Sequence, residues 1–327
     1  MAISDKYFDA GTLFVARFSS DGTGTWLPLV FGQVPNRPAQ GGDIEYVFEN
    51  QADILINTRL AADAVGATRM DRPEWTATDN RTGEIYLTLT NNNATLRPLA
   101  GTDAANPRHY NDPRGAAQTA QFGNPNGHIL RLREAGDNNE ATTFTWDIYL
   151  FGAGSDLDPA NINLSGLTTA NDFSSPDGLW FSRPTNQAGA ATRQLLWIQT
   201  DDGAFTDVTN NQMLAGIPGN TRDGGSRTIT NRDAAGATRQ QTTFVGATAT
   251  TATLRRFMVG PKECEITGVD STPDGRTLFV NIQHPGEAGT PAAPSSNWPN
   301  TQLPGPGNRP RSATIVVTKN DGGVVGL

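Results

Sequence analysis

Arg72-Pro73-Glu74-Trp75 sets a guanidinium and a carboxylate on either side of a proline. Proline fixes its own φ and disfavours helical backbone in the residue before it, so Arg72 is expected to be extended and both side chains well aimed. A carboxylate so placed can bind a metal ion, and a guanidinium can hold a phosphate through two parallel hydrogen bonds. The strand that follows ends at Thr90-Asn91-Asn92, which makes Asn91 a neutral neighbour of the pair. Taken alone, the tetrapeptide reads more readily as a surface ion pair beside a packed tryptophan.

Two further stretches offer carboxylates. Ser175-Pro176-Asp177-Gly178 opens an apolar run, and Leu196 to Thr200 closes on Asp201 and Asp202, so neighbouring strands could bring three carboxylates to one rim. An aspartate in Pro-Asp-Gly more often serves its own turn. In Glu263-Cys264-Glu265-Ile266-Thr267-Gly268 the two glutamates alternate with the cysteine, so an extended backbone would turn both carboxylates to one side. Like charges on one face need compensation, which a calcium ion would supply. His284 follows at a strand end, before Pro285, and reads as a residue supporting the site rather than a ligand, because imidazole contributes little to hard-cation sites.

Other chemistries lack their residues. His109 and His128 have no acidic partner at a recognisable spacing, so no Ser/His/Asp triad can be argued. No Walker-type glycine loop or dinucleotide fingerprint occurs. The net charge of -8 and the absence of a basic run argue against nucleic acid as a partner. The single cysteine, Cys264, cannot form an internal disulfide and reads as a small buried residue. No apolar run is long enough to span a membrane, and Met1 to Ala10 lacks the basic and apolar regions of a secretion signal.

These residues need a scaffold, and the composition names its class. With 35 glycines and 21 prolines in 327 residues, the chain is built from short elements joined by turns, which favours an all-β fold. Strands are predicted at Thr12 to Phe18, Gly83 to Leu89, Leu179 to Phe181, Leu195 to Thr200, Thr277 to Ile282 and Ala313 to Thr318. Ser/Thr-Pro-Asp-Gly followed by an apolar strand recurs at 175 to 181 and 272 to 280, the weak self-similarity that propeller blades leave. Stretches 91 to 127, 152 to 175, 219 to 243 and 285 to 312 read as long loop insertions between blades. One helix is expected within Gln51 to Ala64. The reading is a single domain over 1–327.

The three constellations come in the order, and with the flanking strands, of the PhoX-type alkaline phosphatases, and the chain resembles the C-terminal part of that family from Gly11 to Gly286. The most specific stretch runs from Thr267 through Ser271-Thr272-Pro273-Asp274-Gly275 to His284-Pro285-Gly286. The resemblance implies a β-propeller, incomplete in this chain, that hydrolyses phosphate monoesters with calcium and iron in the periplasm or outside the cell. Carried over by motif, Arg72 holds the phosphoryl oxygens and Glu74 is an iron ligand. Asp177 and Glu265 are calcium-site carboxylates, with Asp201 and Glu263 beside them and Asn91 and His284 in support. Family members also carry, N-terminal to this region, an iron-ligating cysteine that Cys264 does not match by motif. The chain is therefore expected to supply part of a site, with a complementing N-terminal segment or a second copy as partner. The alternative readings are a calcium-binding propeller module without catalysis and a calcium-dependent lactonase.

Overall fold

The computed structural model describes residues 10–182, 194–205, 207–300 and 309–326. It is an all-β protein with two short α-helices among the described residues, and the chain divides into two compact units. The smaller comprises residues 1–69 and 134–145, the larger 70–133 and 146–327.

In the smaller unit, β1 (Phe14–Phe18) and β2 (Thr23–Pro28) form a hairpin, and Thr23 to Thr25 of β2 pair with residues 143 to 145. The predicted single helix is two: α1 (Gln51–Ile56) and α2 (Thr58–Ala64). Asn50 caps α1 by accepting from the Asp53 N–H. Asn57 breaks the run, because its side-chain amide donates to Asp53 and to the Tyr46 hydroxyl while its backbone leaves helical geometry. Ile54 and Ala61 pack with Leu29, Val34 and Phe48.

The larger unit repeats one motif, an antiparallel meander. β3 (Pro73–Thr78), β4 (Ile85–Leu89), β8 (His128–Glu134) and β9 (Thr143–Phe151) follow one another across the first sheet, β9 entering this unit at Trp146. β10 (Pro176–Phe181), β11 (Leu196–Thr200), β12 (Gln212–Gly216) and β15 (Leu254–Val259) make the second. β16 (Glu265–Ser271), β17 (Thr277–Gln283) and β18 (Ala313–Thr318) make the third. The first strand of each packs on the next, β3 on β10 and β10 on β16. That is the arrangement of propeller blades, three of them among the described residues. Leu179, Leu196, Ile198 and Leu214 are buried between the first two sheets, and Trp197, Met213, Ile266 and Val280 between the second and third.

All six expected strands are present, within a few residues of their predicted ends. The stretch 219 to 243, expected as an irregular insertion, instead carries a regular hairpin of β13 (Ser226–Arg232) and β14 (Thr238–Phe244). Its polar, threonine-rich strands hide the β pattern because most of their side chains are exposed. Within 91 to 127 a small sheet forms from β5 (Asn92–Asn93), β6 (Tyr110–Asn111) and β7 (Phe122–Asn124). No helix among the described residues is long and apolar enough to cross a membrane.

Candidate metal and phosphate site

Glu74, Asp177 and Glu265 stand at the entry ends of β3, β10 and β16, the three strands that pack side by side. β11 runs antiparallel to β10 with Thr200 opposite Pro176, so Asp201, next in the chain, returns to the same end. Topology thus delivers four carboxylates from four segments to one end of the sheets.

Their charges meet at Asp177. Burial pushes its carboxyl up to about 7, the neighbouring charges of Glu74, Glu265 and Asp201 add to the rise, and Arg72 acts against it. Glu265 is also raised, first by burial and then by Asp201, with His284 opposing. The His284 Nε2 lies 3.5 Å from Glu265, and the Gln283 side chain donates to the same carboxylate at 2.8 Å.

The entry segments carry unusual backbone. Seven non-glycine residues among those described have positive φ, and four of them, Arg72, Ser175, Glu263 and His284, lie at this end of the sheets. Such conformations persist only where surrounding structure over-determines them, which is the pattern of functional sites. Arg72 corrects the expectation of extended backbone before a proline: its φ is 49°, held by N–H donation to the Met70 carbonyl and by the Thr90 N–H on its own carbonyl. Buried Asp71 anchors the turn, taking the Arg97 guanidinium and the Asn92 and Asn124 amides. The exposed Arg72 side chain donates from Nη1 to Asn91 at 3.1 Å, and Asn91 donates in turn toward Ser175.

Two ties fix the strands that carry the carboxylates. The buried Thr88 hydroxyl donates to the Asp177 carbonyl at 2.7 Å, joining β4 to β10. Gln199 of β11 lies over Gly178 and donates from Nε2 to the Gly268 carbonyl of β16 at 3.2 Å. A Cβ on Gly178 would fall 2.4 Å from the Gln199 Oε1, so the glycine makes the slot. That oxygen is buried with no hydrogen-bond partner. Neither residue stood out in the sequence, because a threonine in an apolar strand and a lone glutamine carry no motif.

Other sequence candidates are placed differently. Glu263 and Glu265 do not share the face of one extended segment: Glu263 has a φ of 57° and sits in the turn before β16. Its carboxylate accepts from the Ala288 N–H and the Ser295 hydroxyl and pairs with Lys262. Asp202 turns into its own loop, accepting from the Ala204 and Phe205 N–H groups. Cys264 is buried, and burial pushes its thiol up to about 12, so it stays protonated at neutral pH. His128 opens β8, fully buried, with Nε2 at 2.8 Å from the Ala105 carbonyl.

The donor set fits hard cations in kind: carboxylate oxygens whose mutual repulsion adds to burial in raising Asp177, and an orphaned amide oxygen of Gln199 over the neighbouring Gly178. Among the described residues no three acidic, imidazole or thiol groups lie close enough together to enclose one ion. The fit is therefore one of charge and donor chemistry.

The family described as alkaline phosphatase PhoX matches residues 3–286 of the chain. Among solved structures, that of Pseudomonas fluorescens PhoX in complex with vanadate, a transition state analogue, is similar, with a TM-score of 0.66 and 34% sequence identity. The match covers 99% of this chain and 47% of that one, so the chain spans about half the length of its relative. No curated protein gives a significant match. The agreement in sequence over most of the chain, on sheets ordered as blades, shows that the chain belongs to the PhoX alkaline phosphatase family.

Proposed function

We propose that the chain provides the phosphate-holding and cation-holding face of a metal-dependent phosphomonoesterase. The observation that carries this is the convergence on Asp177 of three further carboxylates and the Arg72 guanidinium at one end of three packed strands. Glu74, Asp177, Asp201 and Glu265 would hold the cations, which we propose to be calcium and iron, with Glu74 toward iron. Glu263 would contribute only by leaving its present partners. Cys264, buried beside the site, does not match the family's iron-ligating cysteine by motif. When bound, the cations would neutralise charge on the phosphoryl oxygens and polarise the phosphorus centre.

The chain's own groups do the positioning. Arg72 binds the equatorial phosphoryl oxygens, where charge spreads as the ester bond breaks. Asn91 keeps the guanidinium plane fixed by accepting from one Nη1–H, leaving the remaining N–H donors for phosphate. His284 and Gln283 orient Glu265, and Thr88 and Gln199 hold β10 against its neighbours. Within the family an exported location, periplasmic or secreted, accompanies this activity.

Hydrolysis of p-nitrophenyl phosphate, with calcium and after chelation, tests the proposal. Turnover restored by calcium and iron and lost in Arg72→Ala supports it; calcium-independent turnover, or turnover unchanged in that variant, contradicts it. A second reading, a calcium-binding propeller module without hydrolysis, draws on the same carboxylates, although among the described residues no three ligand side chains lie close enough to enclose an ion. In that case calcium raises the melting temperature and no ester is cleaved.

A further inference from the structure

A cavity of about 640 Å³ has Arg72 and Asn91 in its wall. Phosphate alone needs a small part of that space, and the volume falls in the range that takes a drug-sized organic ligand. A phosphoryl group held by Arg72 would have its ester oxygen open to this cavity. Part of the lining is apolar: Leu96 is 70% exposed, and Phe122, half-buried, and Pro125 line the same cavity.

The exposed Arg114 also lines the cavity, its charge acting on Asp202. We infer that this cavity receives the alcohol portion of a phosphate monoester and selects ring-bearing alcohols over small alkyl ones. The inference rests on the reading of Arg72 as the phosphoryl-binding residue and adds the substrate class to it.

Calorimetry on the calcium-loaded chain with three probes tests this: inorganic phosphate, methylphosphonate and phenylphosphonate. Phenylphosphonate is expected to bind about tenfold more tightly than methylphosphonate, about 1.4 kcal/mol. Leu96→Asp, a change at an exposed position that leaves folding intact, should abolish the preference for the phenyl probe without altering the affinity for inorganic phosphate. Inorganic phosphate binding with equal affinity for the phenyl and methyl probes, or a preference that survives Leu96→Asp, overturns the inference and leaves the role of Arg72 standing. No binding of inorganic phosphate overturns that role, and the inference with it.

Discussion

Asp177→Asn should stabilise the chain in the absence of cations, although it removes a residue proposed to bind them. In the folded state the Asp177 carboxyl sits at about 7 against an ordinary 3.8, with burial first and Glu74, Glu265 and Asp201 after it as causes. At 1.36 kcal/mol per pH unit that difference is worth about 4 kcal/mol. Screening by solvent around exposed Glu74 reduces it to about 2 to 3 kcal/mol. The sign follows from linkage: a carboxyl raised on folding keeps its full stability below 3.8 and loses it as pH rises through about 7. Denaturant unfolding in EDTA at pH 4 and pH 8 measures this. The parent should lose about 2 to 3 kcal/mol relative to Asp177→Asn between those values, and calcium at pH 8 should reverse the order of the two proteins. An asparagine variant less stable than the parent at pH 8 in EDTA would refute the reasoning, because it would mean that Asp177 is compensated within the protein.

Three other changes test separate parts of the account. Arg72→Lys keeps the charge but loses the two-pronged donor set, so phosphate affinity measured by calorimetry should fall roughly tenfold or more while the melting temperature of this exposed position stays unchanged. Gly178→Ala sets a methyl 2.4 Å from the Gln199 Oε1 and should destabilise the fold by about 1 to 3 kcal/mol by denaturant titration, with weakened calcium binding as the Gln199 tie to Gly268 is displaced. His128, fully buried, is held by burial at about 4 against 6.5, so its contribution is complete above 6.5 and lost as pH falls toward 4, about 3 kcal/mol in all. Subtracting the pH profile of His128→Gln from that of the parent isolates this loss; profiles that run parallel from pH 7 to pH 4 would rule it out.

How much of this could be read from the sequence differs by residue. Ala313 to Thr318 is a strand with its predicted ends because β-branched residues alternate there without glycine or proline, and local pattern settles such a segment. The hairpin at 226 to 244 escaped because threonine, asparagine and glutamine strands with exposed faces look like loop sequence. Asp177 was visible as a candidate only in the company of Asp201, and the antiparallel pairing of Pro176 with Thr200 brings the two to the same end. Alternation in Glu263-Cys264-Glu265 predicted a shared face, but alternation holds only on extended backbone, and the turn at Glu263 begins one residue too early for it. Arg72 shows the same limit, since a tertiary anchor through Asp71 overrides the local preference of the residue before proline. Gln199 could not be found by motif, because its role comes from a glycine on the neighbouring strand and a carbonyl on a third.

The central claim is that acidic side chains from separate strands gather cations beside Arg72 so that phosphate can be held there. Calorimetric titration of inorganic phosphate into the chain, once with calcium and once in EDTA, tests it most directly. The account predicts saturable phosphate binding with calcium and none in EDTA. Phosphate binding of equal strength under both conditions, or none under either, would contradict it.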